Sequence, residues 1–448
     1  MKLATVILAA GLGTRMKSDL PKVLFPVAGK AMVHYALDAA SALGSRETVL
    51  VVGHGADQVR EEVGKKAVFV LQGEQLGTGH AVLQAREALQ GRADTVLVMY
   101  GDMPLLRAET LQRLAGQHAR TGATITMVTV RSDESMEFGR ILRDADGRIQ
   151  GIVEEREATP EQLEIHELNC GVYCFRNDWL WEHLPRLTPS AKKGEYYLTD
   201  LVGMAVQEAC TVESVTLNGI AEAVGVNTRA QLAEAERIMR GRINDRLMDE
   251  GITLVDPATA YIDADVLIGV DTIIEPNTHL KGRTRIGADC RVGPNSIIRD
   301  SEIGDRCEIV ASVIELAVLE TDIHVGPFSH LRPGAYLARN VHIGNYAEIK
   351  NSHLGEQVHV GHFSYIGDSE VGARSNIGAG AITCNYDGEK KNRTIIGEDA
   401  FIGSDTMLVA PVRIGDRART GAGSVVNKDV PADTLAVGLP ARVIRRLR

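Results

Sequence analysis

A glycine loop followed by two cations is the first part of the chain that could do chemistry. The apolar run Thr5–Ala10 leads into the loop Gly11–Met16, which carries Gly13 and Arg15, and Lys22 follows shortly after. Glycines directly after a buried strand let backbone N–H groups approach a phosphate closely. Arg15 and Lys22 could neutralise a triphosphate. The loop matches neither the dinucleotide fingerprint nor a Walker A loop, and a tight turn with two surface cations would also explain it.

Two later segments point to the same chemistry. Gln72 and the run Gly77-Thr78-Gly79-His80 form a polar glycine loop that is suited to holding a nucleobase and a phosphate. The apolar run Thr95–Met99 ends in Tyr100-Gly101-Asp102, and a carboxylate at the carboxyl end of a strand is well placed to bind Mg²⁺. Asp102 could instead cap a helix that begins near Pro104.

The second half of the chain carries cations and polar side chains at breaks in a regular pattern. Arg332 interrupts that pattern, Lys350 ends the run Ala347–Lys350, and His362 stands in a glycine-flanked segment. The stretch around Asn385-Tyr386-Asp387-Gly388 departs from the pattern altogether, as expected of a loop inserted into a repetitive fold. His362 alone would be an ordinary surface histidine, one of 13 in the chain.

Alternating strands and helices must position the residues of the first half. We predict buried strands at Thr5–Ala10, Thr48–Gly53, Ala67–Leu71, Thr95–Met99 and Ile125–Val130, and helices at Met32–Leu43, Ala81–Leu89 and Ala108–Thr121. Such alternation indicates a mostly parallel, Rossmann-like α/β sheet covered on both faces. Ligands bind such sheets at the carboxyl ends of the strands, which is where the polar residues above occur.

A six-residue repeat organises the second half. Aliphatic residues recur in strict step at Ile268, Ile274, Leu280, Ile286, Val292 and Ile298, and the period returns after shifts of register as far as Ile414. This period fits neither a helix nor a simple strand. It is typical of a parallel β-helix, in which each hexapeptide supplies a short strand and a turn and points its aliphatic residue inward. A β-sandwich would place its strands at roughly 8–12-residue spacing instead.

A long helix is predicted between the two halves, over residues 228–250. Leu232, Ala235, Met239, Ile243 and Leu247 form one apolar stripe. Thr228 can cap its start and Gly251 can end it. We therefore expect domains at residues 1–227 and 251–448, joined by this helix as a rigid spacer.

Composition excludes several classes of protein. The net charge of −10 argues against nucleic-acid binding. No apolar run approaches the roughly 18 residues of a membrane span, and the first apolar run reads as a buried strand rather than a signal peptide. The six cysteines lack disulfide or zinc spacing, which favours reduced thiols and a cytoplasmic location.

The motifs together carry a family resemblance over nearly the whole chain. The loop Leu8–Met16 with Pro21-Lys22 resembles the signature of sugar-1-phosphate nucleotidyltransferases. Combined with the segments at Gln72, Gly77 and Asp102 and with the hexapeptide half, the chain resembles a bifunctional bacterial family of N-acetylglucosamine-1-phosphate uridyltransferases and glucosamine-1-phosphate acetyltransferases. The resemblance implies a left-handed β-helix, acetyl transfer from acetyl-CoA to glucosamine-1-phosphate, and Mg²⁺-dependent uridyl transfer from UTP to N-acetylglucosamine-1-phosphate with release of pyrophosphate. The product, UDP-N-acetylglucosamine, would feed peptidoglycan and lipopolysaccharide synthesis.

The resemblance also implies a role for each matching residue of the uridyl site. Arg15 and Lys22 would be catalytic, and Asp102 and Asn227 would bind Mg²⁺. Gly139, Glu154 and Asn169 would contact the amino sugar. The remaining nucleotide-binding positions would be Leu8, Ala9, Ala10, Gly11, Gln72, Gly77, Thr78, Tyr100 and Gly101. Cys170 is a departure, since the family more often has Thr there.

In the acetyl site the resemblance makes His362 the general base. Arg332, Lys350, Tyr365 and Asn376 would bind the sugar phosphate. The acetyl-CoA positions would be Ala379, Asn385, Tyr386, Ser404 and Ala422. Lys391 would reach in from a neighbouring subunit, because the family forms homotrimers with acetyl sites between subunits. The C-terminal coenzyme A contact stays open between Leu439 and Arg442.

Two rival interpretations share these modules. A nucleotidyltransferase could use its β-helix only for regulation, as ADP-glucose pyrophosphorylases do. A scaffold subunit could combine the same two domains without chemistry, as in some translation-factor subunits. Arg15, Lys22 and Asp102 disfavour the scaffold, and the set Arg332, Lys350, His362 and Asn385-Tyr386 disfavours a purely regulatory β-helix.

Overall fold

The computed structural model describes residues 2–133 and 138–446 and divides into two compact units. The first unit is Met1–Met239 and the second is Arg240–Arg448. Their boundary falls within one long helix, Arg229–Asp249.

The first unit is an α/β domain. Its strands are β1 (Leu3–Ala9), β2 (Pro26–Val27), β3 (Lys30–Ala31), β4 (Glu47–Val52), β5 (Val68–Leu71), β6 (Thr95–Tyr100), β7 (Ile125–Arg131), β8 (Arg140–Arg143), β9 (Ile149–Val153), β10 (Glu167–Arg176) and β11 (Val212–Leu217). Its helices are α1 (Met32–Ala42), α2 (Ala56–Val63), α3 (Thr78–Leu83), α4 (Arg86–Leu89), α5 (Ala108–Thr121), α6 (Pro160–Leu163), α7 (Asn177–His183) and α8 (Asp200–Gln207).

The main sheet of this unit runs in the order β11-β7-β10-β6-β1-β4-β5. Along this path all pairings are parallel except those of β10, and beside it β8 pairs antiparallel with both β10 and β9. Apolar clusters cover both faces, with Ile7 in one and Val6 in the other, so successive residues of β1 face opposite layers. The parallel strands place their carboxyl ends at one edge, as predicted.

The predicted strands and helices of the first half are observed with small shifts at their ends. The helix predicted at Ala81–Leu89 is wrong in detail, because α3 ends at Leu83 and α4 begins at Arg86. Gln84 and Ala85 between them donate their N–H groups to Ala81 O and Val82 O, three residues back, so a tight turn separates the two helices.

The long helix α9 (Arg229–Asp249) carries the predicted caps. Thr228 Oγ1 accepts from Gln231 N at 3.2 Å, and the Gln231 side chain accepts from Thr228 N at 3.1 Å. This reciprocal pair is a capping box. Gly251 follows the helix with φ of 93°, a conformation that glycine adopts without steric cost.

The second unit is a parallel β-helix whose short strands stack in three faces. The first face comprises Thr253–Leu254, Ile273–Ile274, Arg291–Val292, Glu308–Ile309, His324–Val325, His342–Ile343, His359–Val360, Asn376–Ile377, Phe401–Ile402, Arg419–Thr420, Thr434–Gly438 and Ala441–Arg446. The second face comprises Tyr261–Ile262, His279–Lys281, Ile297–Arg299, Val313–Glu315, His330–Leu331, Glu348–Lys350, Tyr365–Gly367, Ile382–Cys384, Met407–Val409 and Val425–Val426. The third face comprises Leu267–Ile268, Arg285–Ile286, Glu302–Ile303, Val318–Leu319, Tyr336–Leu337, His353–Leu354, Ser369–Val371, Thr394–Ile396 and Val412–Ile414.

The six-residue period sets the core of the β-helix. Ile274, Leu280, Ile286, Val292 and Ile298 are all buried. Most corners between faces are turned by a residue with positive φ, which is a conformation that most side chains avoid. The six cysteines are unpaired in the described chain. No helix in the described ranges is long and apolar enough to cross a membrane.

Candidate active sites

One cavity of about 610 Å³ opens in the first unit and is lined by residues that follow β1, β5 and β6. All but one of the predicted uridyl-site residues line it. They are Leu8, Ala9, Ala10, Gly11, Arg15, Lys22, Gln72, Gly77, Thr78, Tyr100, Asp102, Gly139, Glu154, Asn169 and Asn227. Gly101 is the exception. Its N–H donates to Leu8 O, and a Cβ there would lie 3.3 Å from Val23, so it packs behind the cavity lining.

Three polar side chains converge at the carboxyl end of β6. The Lys22 ammonium forms an ion pair with Asp102 and donates to Asn227 Oδ1 at 2.7 Å. Asp102 is therefore not a helix cap, since α5 begins only at Ala108. The side-chain oxygens of Asp102 and Asn227 together form a cation site, and the Lys22 ammonium occupies it. In the described ranges no group of three His, Cys, Asp or Glu side chains forms a metal cluster.

The glycine loop folds so that its cations face the same cavity. Gly13 has φ of 62°, and a Cβ there would lie 3.0 Å from Lys22 Cβ. Glycine at this position therefore permits both the turn and the close approach of Lys22. Arg15 lies exposed in the short 3₁₀ turn Thr14–Met16, at the mouth of the cavity.

The side of the cavity near α3 is rigidly built. The buried Gln72 amide donates to Gly77 O and to His80 Nδ1, each at 3.1 Å. Gly77 has φ of 101°, and a Cβ there would come within 2.6 Å of Tyr196 O. Thr78 Oγ1 accepts from Leu198 N at 3.0 Å, which ties the start of α3 to a segment 120 residues away.

The opposite side carries the polar groups predicted for the amino sugar. Glu154 Oε1 accepts from Thr199 Oγ1 at 2.8 Å, and burial raises the pKa of this carboxyl. Asn169 Oδ1 accepts from Gly171 N and from the Tyr173 hydroxyl, which leaves its amide N–H groups available. Gly139 O accepts from Asn169 N at 2.9 Å, so two of the predicted residues are directly joined.

Sequence reasoning missed several residues of this cavity. Gln75 donates to Ala10 O at 3.3 Å, and Glu195, Tyr197 and Thr199 line the wall beside Glu154. Burial raises the pKa of Tyr100, and the nearby Glu154 and Asp102 carboxylates add to this effect. The tyrosines between Gly194 and Thr199 are the sequence feature that could have predicted this wall of the cavity.

In the second unit, five residues stack along one corner of the β-helix, between the first and second faces. The carbonyl oxygens of four of them each accept a hydrogen bond from a backbone N–H group in the coil above. These four are Asn345, His362, Ala379 and Ser404. A Cβ at Gly403 would lie 2.8 Å from Ala422 N, which places Ala422 above Ser404. The predicted base and three predicted coenzyme A positions therefore form one column. Asn345, which sequence reasoning missed, lies below His362.

The second face carries the predicted phosphate cations. Arg332 N donates to Ile349 O, so Arg332 and Lys350 occupy neighbouring positions on successive coils. The Arg332 guanidinium pairs with Glu348 at 2.7 Å. The next coil has Gly367 at this position, and a Cβ there would lie 2.4 Å from the Tyr365 hydroxyl. The missing side chain makes room for that hydroxyl.

The inserted loop packs onto the same face. Asn385 is buried, and its amide donates to the Tyr365 hydroxyl at 3.3 Å and to Asp368 at 2.5 Å. The backbone of Tyr386 forms an isolated antiparallel β-bridge with Lys391, and the ring of Tyr386 is exposed. Within the same chain the Lys350 side chain lowers the pKa of Lys391, first through a side-chain hydrogen bond and then through its charge.

Other predicted acetyl-site residues are not gathered there within one chain. Asn376 belongs to the first face, where it pairs with His359, whereas Tyr365 belongs to the second. Leu439 is exposed at the turn between Thr434–Gly438 and Ala441–Arg446, and Arg442 pairs with Val437 in that hairpin.

Comparisons with known families agree with this two-part architecture. The family model described as the MobA-like NTP transferase domain matches residues 5–198. The model for the bacterial transferase hexapeptide, with six repeats, matches residues 393–428, and that for the hexapeptide repeat of succinyl-transferase matches residues 283–314. The fold and site define a nucleotidyltransferase joined to a left-handed hexapeptide β-helix acyltransferase.

Similar curated proteins extend over almost the whole chain. The bifunctional protein GlmU of Pelobacter propionicus is 47% identical over 99% of this chain and 97% of its own length. That of Exiguobacterium sibiricum is 46% identical over 96% of both chains, and that of Enterococcus faecalis is 46% identical over 98% and 96%. The chain belongs to the bifunctional GlmU family. It is an enzyme with uridyltransferase and acetyltransferase activities that make UDP-N-acetylglucosamine.

Proposed function

We propose that the two sites described above perform the two transfers in sequence. The β-helix site acetylates glucosamine-1-phosphate with acetyl-CoA. The cavity then transfers uridylyl from UTP to N-acetylglucosamine-1-phosphate and releases pyrophosphate. The observation that carries this proposal is the convergence of Lys22, Asp102 and Asn227 in a cavity lined by nearly all the predicted residues. The product would supply peptidoglycan and lipopolysaccharide synthesis.

Asp102 and Asn227 fit a magnesium ion. Both present oxygen atoms, the ligands that Mg²⁺ prefers, and both already face one cation, the Lys22 ammonium. Mg²⁺ usually takes only one or two protein ligands and keeps water and substrate phosphates for the rest, which suits a pair of this kind. Bound there, the ion would neutralise charge on phosphate oxygens.

The remaining residues of the cavity would position the reactants for uridyl transfer. Such transfers ask a protein mainly for alignment and charge neutralisation. Arg15 and Lys22 would hold the triphosphate beside the glycine loop. Glu154 would accept hydrogen bonds from sugar hydroxyls and Asn169 would donate to the sugar, both at the opposite wall, so the phosphate of the sugar would point toward the α-phosphorus.

His362 would act as the base of acetyl transfer. Its Nε2 would take a proton from the 2-amino group as the amine nitrogen attacks the thioester carbon. The carbon–sulfur bond then breaks, and the coenzyme A sulfur leaves and is protonated. Arg332 and Lys350 would hold the phosphate, while Ala379, Ser404 and Ala422 would line the path of coenzyme A above His362.

A homotrimer would complete the acetyl site. Tyr365 and Asn376 lie on different faces of one chain, so a site that uses both closes best between neighbouring copies. The corner that carries His362 also presents Phe328, Tyr346 and Phe363, whose rings stack at 5.1 Å and are 61%, 48% and 63% exposed. An exposed apolar column of this kind favours a partner surface, and a closed threefold ring provides one.

The location and organisation follow from the same set of features. We propose a uridyl domain at residues 1–227, the connecting helix at 228–250 and an acetyl domain at 251–448. The unpaired cysteines support a cytoplasmic enzyme. The net charge of −10 supports small-molecule substrates rather than nucleic acid, and we propose no membrane partner.

The test is to incubate the enzyme with glucosamine-1-phosphate, acetyl-CoA, UTP and Mg²⁺ and to identify the products by mass spectrometry. His362→Ala should lower the turnover of acetyl transfer by about 10²–10⁴-fold, because a positioned base is lost. Arg332→Ala should instead raise the KM for glucosamine-1-phosphate. Normal acetyl turnover in His362→Ala would show that the base lies elsewhere.

A further inference from the structure

The side chain of His362 is held by the coil below it. Asn345 Oδ1 lies within hydrogen-bonding distance of His362 Nδ1, and Phe363 N donates to Asn345 O at 3.2 Å. An amide oxygen can only accept, so Nδ1 must carry the proton in this bond. In the neutral ring Nε2 then keeps its lone pair, which is the state a general base requires.

The backbone around this bond fixes the main chain of His362 and makes room for its ring. A Cβ at Gly344 would lie 3.1 Å from His362 Nδ1 and 2.8 Å from Gly361 O, so only glycine lets the ring sit this low on the corner. From above, Gly380 N donates to His362 O at 2.7 Å. The main chain is thus fixed on both sides, and the Asn345 amide is the group that sets the direction and tautomer of the ring.

We propose that Asn345 is a positioning residue for acetyl transfer, which holds His362 as the tautomer with an unprotonated Nε2 directed at the substrate amine. This inference rests on the proposed role of His362 as the base. Without the amide oxygen the ring would rotate and populate the other tautomer, whose Nε2 carries a proton and cannot accept one. Asn345 would act only through His362, since its oxygen is engaged by the ring.

The predicted consequence is a loss of turnover without a loss of substrate binding. Asn345→Ala in the full-length enzyme should reduce the kcat of acetyl transfer by about tenfold to a hundredfold, part of the 10²–10⁴ that a positioned base supplies. The KM values for glucosamine-1-phosphate and acetyl-CoA should stay within about twofold. Asn345→Asp keeps an acceptor oxygen at the same place and should retain most of the turnover.

A double-variant cycle with His362→Ala provides the decisive measurement. If Asn345 acts through His362, adding Asn345→Ala to His362→Ala should cause no further loss of kcat. Two results would overturn the proposal. One is a loss of kcat in the double variant equal to the product of the two single losses, and the other is a raised KM with normal kcat in Asn345→Ala. Asn345→Ser, whose hydroxyl is too short to reach Nδ1, is measured in parallel and should behave as Asn345→Ala.

Two controls separate this inference from the proposal on which it rests. Uridyl transfer by each variant should equal that of the wild type, and unchanged KM values in acetyl transfer show that the β-helix is folded. If His362→Ala is itself fully active, the assignment of the base is wrong and the role of Asn345 falls with it. If His362→Ala is inactive while Asn345→Ala and Asn345→Ser are normal, only the positioning role is overturned.

Discussion

Lys22 and Asp102, eighty positions apart, form an ion pair at the carboxyl ends of the neighbouring strands β1 and β6. Each side chain is only 14% exposed. The pair is possible because the glycine loop folds back over the edge of the sheet, where the turn at Gly13 brings Lys22 close to the end of β6. Since Asn227 also binds the ammonium, the three residues form a polar cluster on the floor of the cavity.

We predict that Asp102→Asn greatly reduces uridyl transfer while acetyl transfer remains near the wild-type rate. The substitution keeps the size of the side chain but removes the charge that would attract Mg²⁺. Loss of several kcal/mol of charge stabilisation corresponds to at least about a hundredfold in turnover. The measurement is pyrophosphate release at increasing Mg²⁺, where the variant should need much higher concentrations.

The control for this prediction is acetyl transfer by the same preparation, followed by release of the coenzyme A thiol. An unchanged dependence of uridyl transfer on Mg²⁺ in Asp102→Asn would exclude Asp102 as a metal ligand. Lys22→Met, which removes the cation and keeps the length of the side chain, should instead weaken the use of UTP at saturating Mg²⁺.

Much of the fold could be predicted because its signals are local and periodic. The bounds of α5 match the prediction, since an apolar stripe ends at Gly122 with positive φ. The β-helix follows from its six-residue period, because each buried aliphatic residue needs only the next coil for its packing. The break between α3 and α4 gave no such signal, because neither Gln84 nor Ala85 disfavours helix.

Parts of the sites could not be predicted because they depend on contacts between distant segments. Thr199 approaches Glu154 across 45 positions, and no local pattern marks that hydrogen bond. Asn345 is one coil below His362, but the inserted loop and the shifts of register make coil lengths unequal. Stacking partners therefore cannot be counted from the repeat alone.

We predict that Glu154→Gln stabilises the first unit and weakens sugar binding. Burial raises the pKa of Glu154, so its charged form is unfavourable in the folded protein. The neutral amide keeps an oxygen for Thr199, and the free energy of unfolding at pH 7.5 should rise by about 1 kcal/mol. The KM for N-acetylglucosamine-1-phosphate should rise about tenfold, as expected for a lost charged hydrogen bond.

Urea unfolding followed by tryptophan fluorescence provides the measurement, because both tryptophans, Trp179 and Trp181, are buried in the first unit. The advantage of the variant should disappear as the pH falls below the ordinary carboxyl value of 4.5, where the glutamate is protonated in both states. Equal stability of the two proteins at pH 7.5 would contradict the prediction.

We predict that His118 makes the first unit less stable in mild acid. Burial, together with Arg176, lowers the pKa of His118 to about 4 from 6.5. Above pH 6.5 the ring is neutral in both states, whereas between pH 6.5 and 4 only the unfolded chain takes up the proton. From pH 7 to pH 5 the wild type should lose about 1–2 kcal/mol more than His118→Gln, which keeps a side-chain amide near Thr126.

The stacked rings of Phe328, Tyr346 and Phe363 lead to a prediction about assembly. Each of these residues has positive φ, a conformation that costs a bulky side chain roughly 1 kcal/mol, yet each ring is exposed in the single chain. The corner between the third and first faces differs from this aromatic corner. Its positive-φ positions are held by residues such as Asp322 and Arg417, which form ion pairs between coils. A column of strained, exposed aromatic residues is explained if another copy of the chain covers it.

Tyr346→Asn should therefore weaken the proposed trimer without destabilising the subunit. Asparagine adopts positive φ more readily than tyrosine, so the backbone of the single chain is relaxed, while the middle ring of the column is lost. Sedimentation velocity over a range of concentrations should show smaller species for Tyr346→Asn, and acetyl transfer should fall with them, while uridyl transfer remains. Leu316→Asn is the matched control, because Leu316 also has positive φ and is exposed but turns the corner between the second and third faces. If both variants sediment as the wild type does, the aromatic column is not the contact between copies.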